Sequence, residues 1–109
     1  MSDDRWSPLR RLEKPRRVFV DPRRVWAHPQ RERDRVDPAT IGEKAAALDI
    51  RSEDEWVPGV LYAWARIRLG TTPVWYADVA IEWRSHSGLT AVTLRHWVPW
   101  DAVRPPVNP

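Results

Sequence analysis

Four aromatic side chains could carry the chemistry of this 109-residue chain: Tyr62, Trp64, Tyr76 and Trp97, interleaved with Arg66, Arg68 and Arg95. Ring faces stack nucleic-acid bases at about 1–3 kcal/mol each, and neighbouring guanidinium groups hold phosphates. The same set could clasp a cation or a proline-rich peptide. Against both stands a structural reading, in which the rings pack beneath the N-terminal segment or stabilise the sheet as cross-strand pairs. Eight Trp is several times ordinary usage, and a small core absorbs about half of them, which leaves indoles for a surface.

Other chemistry has weaker footing. His28, His86 and His96 share no metal-ligand spacing and the chain has no cysteine, so a metal site, a zinc ribbon, a disulfide framework and thiol catalysis are not expected. Ser85-His86-Ser87 places neighbours that point apart on extended chain, so a turn explains it better than a nucleophile with its base. Asp78 and Glu82 share a strand face about 13 Å apart, too far for a glycosidase carboxylate pair, and pair more naturally with Arg66, Arg84 or Arg95 across strands. The four Gly are isolated, which excludes a phosphate-cradling loop. No catalytic residue and no cofactor are expected.

Charge adds a second candidate. Residues 1–35 carry eleven bases against six acids, and 36–109 carry seven against nine. Arg16, Arg17, Arg23 and Arg24 lie at the centre of the basic segment, a footprint for nucleic acid or an acidic protein partner. Arg outnumbers Lys sixteen to two, a bias that coding composition alone could also produce. No apolar run approaches the roughly 20 residues of a membrane helix. Met1-Ser2-Asp3-Asp4-Arg5-Trp6 has no apolar stretch of a secretory signal, so a cytoplasmic location is expected.

The elements that must position these residues follow from pattern. Pro8, Pro15, Pro22 and Pro29 recur every seven residues, which forbids a coiled coil. Val18–Val20 and Val25–Ala27 then read as two short extended pieces, each after a turn. Residues 30–36 alternate in charge as a connector. Asp37-Pro38, or Thr40 with Glu43, caps a short helix over 38–48 whose apolar face is Ile41, Ala45 and Leu48. This divides a single fold into a basic Pro/Arg-rich segment, 1–36, and a helix-plus-β unit, 37–109.

After Trp56 the period becomes two. Runs over 60–69, 74–84 and 90–98, separated by Gly70-Thr71-Thr72-Pro73 and Ser85-His86-Ser87-Gly88, predict an antiparallel meander. Alternation places Leu61, Ala63, Ala65, Ile67 and Leu69 on one face with Trp75, Ala77, Val79, Ile81, Trp83, Val92, Leu94 and Val98. The opposite face takes the ring and guanidinium set. A tight turn at 100–103 leads to a last short strand near Val103. The fold class is therefore mainly β (α+β), with a Pro/Arg-rich N-terminal arm. Strand edges this rich in Trp leave a homodimer open.

The segments Gly59-Val60-Leu61-Tyr62-Ala63-Trp64-Ala65-Arg66, Val74-Trp75-Tyr76-Ala77-Asp78-Val79 and Trp97-Val98-Pro99-Trp100-Asp101-Ala102-Val103-Arg104-Pro105 together resemble the small SH3-like barrels of the Tudor/Agenet type. In that group a Gly followed by an aromatic-Ala-x-Val segment opens a strand, and a V-P-x-x-x-V turn leads into the last one. The resemblance covers about residues 56–105; the first strand is long for the group and the N-terminal half does not align. It implies that the meander closes into an SH3-like barrel and that the protein binds peptides, modified side chains or nucleic acid at an aromatic-lined edge without catalysis. The function expected is a non-catalytic binding module for nucleic acid, with a protein or peptide adaptor as the alternative.

Overall fold

The computed structural model describes residues 7–26, 42, 46–49 and 56–106. They build an antiparallel five-stranded sheet: β1 (Leu9–Val20), β2 (Val57–Arg68), β3 (Pro73–Arg84), β4 (Ala91–Pro99) and β5 (Val103–Arg104). The spatial order is β4-β3-β2-β1-β5. The three C-terminal runs are strands within a few residues of the limits expected from alternation. A 3-10 turn at Trp100–Ala102 carries the chain from β4 to β5, and β5 pairs with β1 through Phe19–Arg104 and Val20–Val103. Among the described residues β4 and β5 are the two ends of the sheet. No described helix is long and apolar enough to cross a membrane.

One face carries the core: Val18, Val20, Leu61, Ala77, Val79, Ile81, Trp83, Val98 and Ala102. The β-branched residues suit the pleat and leave water almost completely. Gly59 in β2 sits at a close approach that leaves little room for a side chain. A Cβ there would stand 3.1 Å from the Ala80 carbonyl oxygen and 3.2 Å from Val20 Cγ2, and that carbonyl belongs to a strand paired on both sides.

The N-terminal segment departs from expectation. It forms no pair of short extended pieces: β1 is one twelve-residue strand held between β2 and β5. Pro15 is tolerated because the β1–β2 register slips between Arg11 and Arg16, where the ladder asks for no N–H. Nor does Val25 start a second extended piece. Pro22–Arg24 is a 3-10 turn with Val25 closing it, and Ala27 lies outside the described residues. Pro15-Arg16-Arg17-Val18 and Pro22-Arg23-Arg24-Val25 have the same four residue types but differ in structure, because Asp21 caps the second as a 3-10 turn. Of the helix expected over 38–48, Gly42 and Ala46 are helical and most of the span lies outside the described residues. Leu48 instead bridges Ser85 in antiparallel fashion.

Asp21 is buried at the junction of β1, the 3-10 turn and β5. Its backbone N–H donates to the Ala102 carbonyl at 2.8 Å. Its carboxylate accepts from the Arg23 backbone N–H and from Arg23 Nε, both at 3.0 Å. Next to it Arg24 pairs with Asp101 at 2.6 Å. The hydrogen bonds from Arg23 hold the Asp21 carboxyl below the ordinary carboxylate range, against the opposing push of burial. A depressed folded pKa adds stability above the unfolded value of 3.8, lost as pH falls through the folded one. Asp21→Ala is expected to lower stability by about 1–2 kcal/mol at pH 7. In denaturant titrations the gap from the parent should narrow below pH 4; a gap constant to pH 2.5 contradicts this.

Candidate aromatic and arginine groove

The residues singled out by alternation do not share a face. In the β2–β3 ladder Leu61 opposes Val79 while Ala63 opposes Asp78, so two steps along β2 match one along β3. Tyr62 is the extra residue of a β-bulge, and a bulge reverses the facing of everything beyond it. Directly opposed residues share a face. Trp64 therefore lies with Ala77, and Arg66 with Trp75, on the side that carries the core. Ala63 and Ala65 turn to the other side, where their methyls are shaded by larger flanking residues. The expectation that Trp64, Arg66 and Arg68 stand with Tyr62 is overturned, and so is the inward placing of Ala63, Ala65, Ile67 and Leu69. Leu69 is 70% exposed in the β2–β3 turn.

Tyr62, Tyr76, Arg95 and Trp97 do meet on the outer face. Arg95 stacks over the Tyr62 ring at 4.1 Å and donates to both carboxylate oxygens of Asp78, at 2.9 and 2.6 Å. The Asp78 hydrogen bonds raise the Arg95 pKa above its ordinary value. That guanidinium is committed to its own sheet. Trp97 opposes Asp78 and is 53% exposed.

The bulge builds a different site on the core side, at the end of the sheet that the core does not reach. Trp64, Trp75 and Trp100 wall a groove of about 470 Å³ with Pro73, Val74 and Arg10. Arg10 opposes Trp64 and lies 5.2 Å from the centre of the Trp75 ring; Arg66 stacks on the same ring at 4.5 Å. Pro99 opposes Tyr76, so Trp100, one residue on, comes level with Trp75. Trp100 is 58% exposed, and its 3-10 turn is fixed from below by buried Ala102. Among the described residues Arg10 and Arg66 make no ion pair. Sequence reasoning missed Trp75, which alternation places inside a core, and Trp100, which the V-P-x-x-x-V pattern treats as turn.

The basic-segment arginines also separate. Arg23 and Arg24 are spent on Asp21 and Asp101. Arg16 and Arg17 are exposed on β1 without an acid partner among the described residues, beside a second cavity that Trp64 also lines. Arg68 is exposed at the end of β2.

Of the histidines, His86 Nδ1 contacts Asp49 Oδ2 at 3.1 Å on the exposed β3–β4 turn. His96 points to the core side, where its ring and those of Trp26 and Trp83 pack edge to face. The buried Trp83 indole donates to His96 Nε2 at 2.8 Å, which leaves the imidazole proton on Nδ1. Burial pushes the His96 pKa below its ordinary value. Comparisons with protein-family models, curated proteins and solved structures find no match.

A lowered histidine pKa means that the neutral ring stabilises the fold fully above pH 6.5, a contribution lost as pH falls through the lower folded value. His96→Phe, which strands the Trp83 N–H, is expected to cost about 1–3 kcal/mol at pH 8. The difference from the parent should shrink below pH 6.5, measured by urea unfolding across pH 5–8; a difference that grows on acidification contradicts this.

Proposed function

We propose that this protein is a non-catalytic nucleic-acid-binding module whose contact site is the Trp64/Trp75/Trp100 groove. The observation that carries the reading is the pairing of three indoles in one open groove with two guanidinium groups that no acid among the described residues neutralises. Flat apolar walls accept bases by stacking, and Arg10 and Arg66 supply positive charge at the rim for phosphate. The walls alone would also suit a proline-rich peptide. The surplus of arginine without an acid partner among the described residues favours a polyanion. Asp21, Arg95 and His96, whose pKa values are displaced, hold the fold together, and none of them lines the groove, which supports binding over catalysis.

We infer an SH3-like arrangement for the sheet. The meander order, the 3-10 turn after β4 and the return of β5 to β1 support it. In that arrangement the groove opens beside the 3-10 turn, at an aromatic-lined edge.

Trp100 and Arg10 are exposed, so replacing them spares the core. Trp100→Ala should weaken binding of a single-stranded oligonucleotide about 5- to 150-fold, the equivalent of one stacked base. Arg10→Gln should reduce the salt dependence by about one contact. Indole fluorescence titrations between 50 and 200 mM salt read both. Affinity indifferent to salt, or tighter binding of a proline-rich peptide than of the oligonucleotide, overturns the proposal.

A further inference from the structure

We propose that the nucleic acid bound is single-stranded and runs in a track across Trp64, from the indole groove to a phosphate site at Arg16, Arg17 and Arg104. The inference rests on the groove being a nucleic-acid site and adds the class of ligand and its path. Its basis is a second cavity of about 350 Å³ between β1 and β5, whose lining includes those three arginines and, on the side of the first groove, Trp64. One indole thus walls both spaces. The register slip in β1 makes this possible: it puts Arg10 opposite Trp64 before the slip and Arg16 opposite Leu61 after it, so a single strand feeds cations to both cavities.

The two spaces differ in chemistry. The first offers ring faces; the second, at the β1 edge, is lined by Leu12, Val103 and the prolines after β5, with Arg16 on the groove side of the sheet and Arg17 and Arg104 on the opposite side of that edge. Arg16, Arg17 and Arg104 make no ion pair among the described residues, and Arg104 is steadied over the Trp56 ring at 4.2 Å. Cations without an acid partner among the described residues, beside a stacking groove, fit a strand whose bases turn into one cavity while its backbone passes along the β1 edge at the other. A duplex keeps its bases stacked on one another and cannot offer ring faces to three indoles.

The test uses the full chain with oligothymidylates of two and eight nucleotides, the eight-nucleotide duplex with oligodeoxyadenylate, and polyglutamate. The eight-nucleotide strand should bind about tenfold or more tighter than the dinucleotide, and tighter than the duplex and polyglutamate. In the double variant Arg16→Gln/Arg17→Gln most of that length advantage should disappear, and the logarithmic salt slope should fall by about 1.4, two contacts at about 0.7 each. Circular dichroism of the variant checks the fold, and Arg104→Gln gives an independent single-site reading. A strand whose length advantage and slope survive in both variants, while Trp100→Ala still weakens binding as expected of the groove, overturns the track and leaves the groove reading standing. Equal affinity for the duplex overturns the track as well. No binding of either oligothymidylate overturns both, and polyglutamate bound as tightly as the eight-nucleotide strand replaces nucleic acid with an acidic protein partner.

Discussion

One surplus residue in β2 decides what this sheet presents on each side. Up to Leu61 the alternation of the strand matches β3, and aliphatic side chains fill the core. At Tyr62 the ladder takes two residues against one, and from there Trp64 and Arg66 occupy the face that Leu61 holds. Without the bulge the core face would continue as alanines. With it, the same face ends in indoles and guanidinium groups over a space that small methyls could not wall.

The sheet is thus divided along its length as well as across its thickness. At one end of the core face Val20, Val79, Ile81 and Val98 are sealed from water, and Trp83 spends its N–H on His96. At the other end the side chains are larger, the sheet is less covered, and Trp75 lies between buried Ala77 and open groove. On the β3–β4 part of the outer face the polar groups satisfy one another: Arg95 with Asp78 and Tyr62, and Arg84 with Glu82 at 2.8 Å. Self-satisfied ion pairs offer little to a ligand, whereas cations without acids do. That contrast is the ground on which the groove side is proposed as the site.

The strands were legible because a period of two and turn chemistry are local properties. Val79, Ile81 and Val98 read correctly as core, and the 100–103 turn with a last strand at Val103 read correctly from Pro99 onward. The bulge was not legible, since Tyr62 has no glycine or proline to mark it and the alanines around it look apolar in either facing. β1 was hidden by its four exposed arginines and Pro15, which lower strand propensity until β2 supplies a partner. Arg23 and Arg24 looked free because their partners, Asp21 and Asp101, depend on tertiary closure for one pair and on a cap for the other. Trp75 and Trp100 lie 25 residues apart in sequence and meet only through the β3–β4 register.

The eight indole N–H protons give separate signals in a proton–nitrogen correlation spectrum, so one titration with a single-stranded oligonucleotide interrogates every Trp together. If the groove is the site, the signals of Trp64, Trp75 and Trp100 move with the oligonucleotide, and those of Trp83 and the outer-face Trp97 stay in place. Movement of Trp97 with the three groove signals silent would put the ligand on the opposite side of the sheet and contradict the assignment made from the Tyr62 bulge.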